Sequence, residues 1–145
     1  MREINNKDDY YLAIAETVSK RSTCLRRAYG AVIVNNDEIV STGYNGAPRG
    51  EPNCTDLGYC ERDELGVPKG ERYELCKAVH AEQNAIISAS RKEMLGGTIY
   101  ISGTEVKNGG KANPAPCIMC ERFIKNSGLS RVVGSYECGK KDISI

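Results

Sequence analysis

Four residues carry the chemistry legible in this chain. His80 is its only histidine, and Glu82 follows two positions later in Val79-His80-Ala81-Glu82. Cys117 and Cys120 stand as C-x-x-C directly after Pro116. One imidazole and two thiolates are three of the four donors tetrahedral zinc takes, and a site with three protein donors leaves a position for water. Glu82 is then a proton carrier beside that water. The opposing reading is a closed zinc knuckle, with a further cysteine as fourth donor and Glu82 a solvated helix residue. Such a knuckle has no need of a carboxylate at the metal.

The pairing matches the H-x-E…P-C-x-x-C signature of the zinc-dependent nucleobase deaminases. Charge arithmetic fits it. Zinc with two thiolates and a neutral imidazole is a net-neutral core, which acidifies water less than three neutral donors would, so a nearby base is needed. Glu82 is the base expected, taking a proton from water to a ring nitrogen of cytosine and a second one to the departing amine.

Helices must position these groups. Cys117 and Cys120, three apart on a helix, face one side. At its N-terminus the dipole favours their thiolate forms. His80 and Glu82 fall in the first turn of another helix, so the spacing predicts two helix N-termini pointing at one metal.

The rest of the chain supplies a scaffold. Asn6 is expected to cap a helix running to about Lys20, with Tyr11, Ile14, Ala15 and Val18 at helical spacing. Ala31–Val34 and Ile39–Thr42 read as a β-hairpin about Asn35-Asn36-Asp37. Gly43–Gly50, with three glycines and a proline, is expected to be a loop. Residues 51–78 form a polar insert carrying Cys54, Cys60 and Cys76. A second helix is expected from His80 to about Lys92, with Ala85, Ile86 and Ala89 facing inward. Then follow a strand at Thr98–Ile101, a third helix from Cys117 closed by Gly128, and a strand at Arg131–Tyr136. The order α-β-β-α-β-α-β predicts one α/β domain over residues 1–145, a mixed sheet with helices on its faces and a parallel crossover.

Composition bounds the substrate. The 145 residues suit one domain. Lys+Arg 20 against Asp+Glu 19 leaves +1, without the basic excess of a protein that grips nucleic acid, and there is no tryptophan to stack bases. No apolar run is long enough for a membrane span and no secretory signal opens the chain, so a cytoplasmic location is expected. Seven cysteines in a reducing compartment suggest metal ligation before disulfides, with Cys138 the spare.

Ser22–Val34, Gly43–Gly50 and Cys76–Ala85 closely resemble the deoxycytidylate (dCMP) deaminase family, a likeness covering roughly residues 8–136. The resemblance implies a cytidine-deaminase-like three-layer α/β/α fold with a mixed sheet. It also implies conversion of dCMP to dUMP, zinc on His80, Cys117 and Cys120, and Glu82 as proton shuttle. It further implies substrate contacts from Arg26 to the 5′-phosphate, from Asn45 to the sugar or base edge, from Ala81, and from Tyr136 as a wall near the sugar. Some members hold a structural zinc at the positions of Cys24 and Cys54; here Cys60 and Cys76 are expected to complete an all-cysteine cage. A regulatory nucleotide site is expected at Gly43, Tyr44, Gly46, Arg49 and Gly50, where glycine N–H groups and a guanidinium suit phosphates. With it go dCTP as activator, dTTP as inhibitor, Mg2+ accompanying the triphosphate, and a homo-oligomer, a hexamer being favoured. Glu105–Ala115 is longer than the family's usual turn and is expected to reshape the entrance or an oligomer contact. The alternatives are a zinc deaminase acting on another nucleobase, nucleoside or nucleic acid, and a noncatalytic zinc-binding module.

Overall fold

The computed structural model describes residues 3–68 and 70–145. Asn6 caps α1 (Lys7–Ser19), its side chain accepting from the Asp9 N–H at 2.9 Å. β1 (Arg27–Asn35) and β2 (Glu38–Tyr44) form the expected hairpin. Its turn residues Asn36 and Asp37 hold φ of 52° and 60°, the left-handed pair that a two-residue hairpin turn requires. The Tyr11 hydroxyl donates to Asp37 Oδ1 at 2.6 Å and ties α1 to that turn.

The insert is ordered by short pieces: α2 (Cys54–Leu57), α3 (Glu61–Glu64) and a 3-10 turn (Tyr73–Leu75). After it come α4 (Ala81–Ile87), α5 (Arg91–Met94), β3 (Thr98–Glu105), α6 (Ile118–Ser127), β4 (Arg131–Tyr136) and β5 (Gly139–Asp142). The sheet order is β2-β1-β3-β4-β5. β3 and β4, joined through α6, are parallel and the other pairs antiparallel, so the sheet is mixed as expected.

Strand alternation divides the core between two faces. Val32, Val34, Tyr100 and Val133 pack with Tyr11, Leu12 and Ala15 of α1. Ala31, Ile33, Ile99, Ile101 and Val132 pack with Ala81, Ala85, Met94 and Ile124 from α4, α5 and α6. The architecture is therefore three-layer α/β/α, each buried aliphatic side chain stabilising it by about 1.5–3 kcal/mol. Arg131 fastens the outer layer, donating to both Asp8 oxygens at 2.9 and 2.8 Å and to Asp142, while the Tyr100 hydroxyl donates to Asp8 at 2.7 Å.

Several boundaries differ from the sequence expectations. The second helix does not run unbroken to Lys92. It stops at Ile87 and restarts as α5, because Ser90 and Glu93 form a reciprocal cap: Ser90 Oγ accepts from the Glu93 N–H, and the Glu93 carboxylate from the Ser90 N–H. β1 begins at Arg27 and β3 reaches Glu105, each beyond its apolar run. β5 was not expected, since its four residues are all exposed and carry no alternation.

Gly43 and Tyr44 belong to the end of β2, not to a loop. A Cβ on Gly43 would lie 2.4 Å from the Ala81 carbonyl oxygen and 2.4 Å from the Ala85 nitrogen, so only glycine lets α4 sit this close to the strand. Ser41 Oγ donates to the Ala85 carbonyl at 2.6 Å, and Asn84 Nδ2 to the Tyr44 carbonyl at 2.8 Å. The helix carrying Glu82 is thus seated on β2 by close packing and two side-chain hydrogen bonds.

Candidate active site

Two helix starts meet beside the sheet. His80 is the N-cap residue of α4, its N–H donating to Gln83 Oε1 at 3.0 Å. Cys117 is the N-cap residue of α6, and its Sγ accepts from the Cys120 N–H at 3.5 Å. His80 Nδ1 lies 3.2 Å from Cys120 Sγ and 3.6 Å from Cys117 Sγ, and the three donor atoms all fall within 4.8 Å of one another. A tetrahedral zinc about 2.3 Å from sulfur and about 2.0 Å from nitrogen sets neighbouring donors roughly 3.5 Å apart, so this set fits the ion in spacing and in softness.

Electrostatics sharpen the cluster. Cys117 is pulled down to about 4, chiefly by its hydrogen bond with the Cys120 thiol. Cys120 is pushed up for the same reason, so Cys117 is the sulfur of the pair that ionises first. His80 is raised, first through its hydrogen bond to Cys117. Glu82, in the first turn of α4, is 7% exposed, and burial pushes its carboxyl above its ordinary value. It lies beside the Cys120 thiol, so a poised carboxyl stands next to the donor set.

These groups open onto a cavity of about 350 Å³. Arg26, Asn45 and Ala81 line it alongside His80, Glu82 and Cys117. Arg26 pairs with Asp63 at 3.3 Å. The amide of Asn45 bridges β1, accepting from the Tyr29 N–H and donating to the Arg27 carbonyl, both at 2.9 Å. Tyr136, at the end of β4, does not line the cavity; its ring faces Lys141 instead, 5.4 Å from Nζ. Of the residues expected to bind a regulatory nucleotide, Gly43 pairs with Ala31 and Gly46 exchanges backbone hydrogen bonds with Val79, while Arg49 and Gly50 are exposed.

Cys24, Cys60 and Cys76 also line the cavity, and Cys54 is buried at the start of α2. The four are mutual neighbours. Among the described residues the one three-donor cluster is His80, Cys117 and Cys120. Burial pushes the Cys54 and Cys76 thiols up. No acidic cluster for Mg2+ stands among the described residues either.

Sequence reasoning missed Arg27, Tyr29, Arg62 and Tyr73, which complete the walls. Arg62 and Tyr73 come from the insert, where no periodicity marks them. Asn113–Pro116 close another side, so the Glu105–Ala115 excursion does shape the entrance.

A three-layer α/β/α domain with a His-Cys-Cys donor set at two helix starts and a buried glutamate beside it is the architecture of a zinc-dependent deaminase. The family model for the cytidine and deoxycytidylate deaminase zinc-binding region matches residues 5–135, and the chain belongs to that family. A deoxycytidylate deaminase of Mycobacterium phage D29 is 37% identical over 131 residues, covering 87% of this chain and 91% of that protein. The Schizosaccharomyces pombe deoxycytidylate deaminase is 33% identical over 126 residues, and there the match spans 87% of this chain but 36% of the yeast protein. Among solved structures, the dCMP deaminase of cyanophage S-TIM5 in complex with dCMP and dUMP superposes with a TM-score of 0.63 at 26% identity, covering 90% of this chain and 83% of that one.

Proposed function

We propose that this protein hydrolyses the exocyclic amine of dCMP, giving dUMP and ammonia. The observation that carries this reading is the buried carboxyl of Glu82 beside the His80, Cys117 and Cys120 cluster, in a cavity also lined by three arginines. The names of the phage and yeast relatives, and the dCMP and dUMP bound by the cyanophage protein, support the substrate.

His80, Cys117 and Cys120 hold zinc in this reading, and zinc supplies Lewis acidity to a water in the cavity. Glu82 takes a proton from that water and delivers it to N3 of the cytosine. The water oxygen bonds to C4. Glu82 then carries the second proton to the amine, the C4–N4 bond breaks and ammonia leaves. A low dielectric around a buried carboxyl raises its proton affinity, which suits a group that must hold a proton between two transfers. Asn45 braces the β1 edge of the pocket, Ala81 offers backbone beside the base, and Arg26 lines the same cavity while paired with Asp63. Two of the cavity's three arginines are paired with Asp63 and Glu105, and the third, Arg62, has no ion-pair partner among the described residues, which favours an anionic substrate over a free nucleoside.

The same reading includes a cytoplasmic homo-oligomer, a hexamer being favoured, raised in dCMP affinity by dCTP and inhibited by dTTP with Mg2+. Exposed Arg49 and Gly50 are the contacts on offer to a triphosphate. It includes, too, a second zinc drawing together Cys24, Cys54, Cys60 and Cys76. Two equivalents of zinc in protein purified without chelator support that metal, and one removes it. Saturation curves for dCMP unmoved by either triphosphate remove the regulation. Ammonia release from dCMP, dCTP, cytidine and guanine, each offered alone, tests the activity: dCMP is expected to be by far the best substrate, and equal turnover of cytidine overturns the choice.

A further inference from the structure

We propose that Arg62 recognises the anionic end of the substrate and sets the preference for a nucleotide over a nucleoside. This rests on the deaminase reading above and assigns its phosphate to a residue of the insert.

Three arginines line the cavity, and two of them are already satisfied. Arg26 faces Asp63 at 3.3 Å and Arg27 faces Glu105 at 2.9 Å. Arg62 is the most deeply placed, 5% exposed, and among the described residues no carboxylate lies within ion-pair distance of it, the exposed Glu74 acting on it only from further off. Its Nη2 donates to the carbonyls of Pro68 and Glu71 at 3.0 and 2.8 Å, both neutral acceptors, and its Nε is buried with no hydrogen-bond partner. A guanidinium is always charged, and a buried charge without a counter-ion is costly. The chain retains one at the wall of the cavity.

Orientation is fixed as well as charge. The guanidinium lies 4.7 Å over the Tyr73 ring, a cation–π contact that holds its plane. Tyr73 meets His80 edge-on, with centroids 6.1 Å apart and the planes at 86°. The stack His80, Tyr73, Arg62 therefore runs from the donor cluster outward along one wall. A nucleotide whose base sits at Glu82 can extend its phosphate along the same wall. A phosphate oxygen arriving there supplies the anion that Arg62 lacks, in a pocket where a charge-assisted hydrogen bond is little weakened by water.

The test compares dCMP with deoxycytidine, which differ only in the phosphate, on the wild type, Arg62→Gln and Arg62→Lys, with a thermal melt of each. Arg62→Gln is expected to lower kcat/KM for dCMP at least about 30-fold, mostly through KM, the scale for truncating one partner of a buried charge pair. Deoxycytidine should stay within about twofold. Arg62→Lys keeps the charge but not the fork, and the dCMP-to-deoxycytidine ratio should still fall about tenfold. If Arg62→Gln does not fold, that ratio in Arg62→Lys decides. Equal losses on both substrates, or an unmoved ratio, overturn the proposal by making Arg62 a brace of the insert. A wild type that turns over neither substrate overturns the deaminase reading, and this proposal with it.

Discussion

The α-carbon of Gly43 lies so close beneath Ala81 that a methyl group on it would stand 2.4 Å from the Ala81 carbonyl oxygen. The glycine is therefore a seat for the helix that carries Glu82. Gly43→Ala must push α4 off β2 or strain both. The expected cost is about 1–3 kcal/mol in stability, the range for overpacking a close contact. A displaced Glu82 should lower kcat at least about tenfold. Urea denaturation and steady-state turnover check the two effects separately, and a variant with wild-type kcat shows that the seat does not position the carboxyl.

Cys120 is fully buried and Cys117 half-buried, with His80 Nδ1 within 3.6 Å of both sulfurs. Cys117→Ser and Cys120→Ser should each lose one equivalent of zinc and nearly all activity, because an alcohol is a poor ligand where a thiolate is required. Metal analysis on the purified variants is the check. A chelator should lower the Tm of the wild type and leave that of Cys120→Ser little changed, since ligand binding to the folded state adds stability only where the site exists.

The donors and the proton carrier were legible because their chemistry is local: His80 with Glu82, and Cys117 with Cys120, each sit within one helical turn. The apolar run Ala31–Val34 likewise marked a strand, and the fold buries Val32 and Val34 on one face and Ala31 and Ile33 on the other. Arg62 and Tyr73 were not legible. They reach the cavity through tertiary folding of an irregular insert, and nothing in their spacing records it. Gly43 was read as a loop glycine because sequence does not distinguish a glycine needed for its turn from one needed for close approach. The break before α5 did carry a signal, the Ser90-x-x-Glu93 capping pattern, submerged in otherwise continuous helical spacing. β5 lacked any, since it is polar throughout.

The Asp8 carboxylate, bound by Arg131 and by the Tyr100 hydroxyl, is held below its ordinary 3.8, first by the hydrogen bonds from Arg131. The unfolded chain thus takes up this proton at a higher pH than the folded one. The stabilisation is fully present above the unfolded value and is lost as pH falls through the folded value. Asp8→Asn should cost about 1–3 kcal/mol at neutral pH, toward the lower end because Arg131 is partly exposed. It should also flatten the fall in stability below about pH 4. Urea midpoints for both proteins between neutral and acid pH check this, and parallel pH curves contradict it.

The most direct measurement pairs turnover of dCMP with zinc content in Glu82→Gln. Glutamine keeps the size and hydrogen bonding of the buried side chain but carries no proton between water and base. Turnover is expected to fall by about 10²–10⁴-fold, the scale of a lost general acid–base, with zinc retained at the wild-type level. Turnover within tenfold of wild type contradicts Glu82 as the proton carrier, and loss of the metal along with activity makes it a ligand or a structural support.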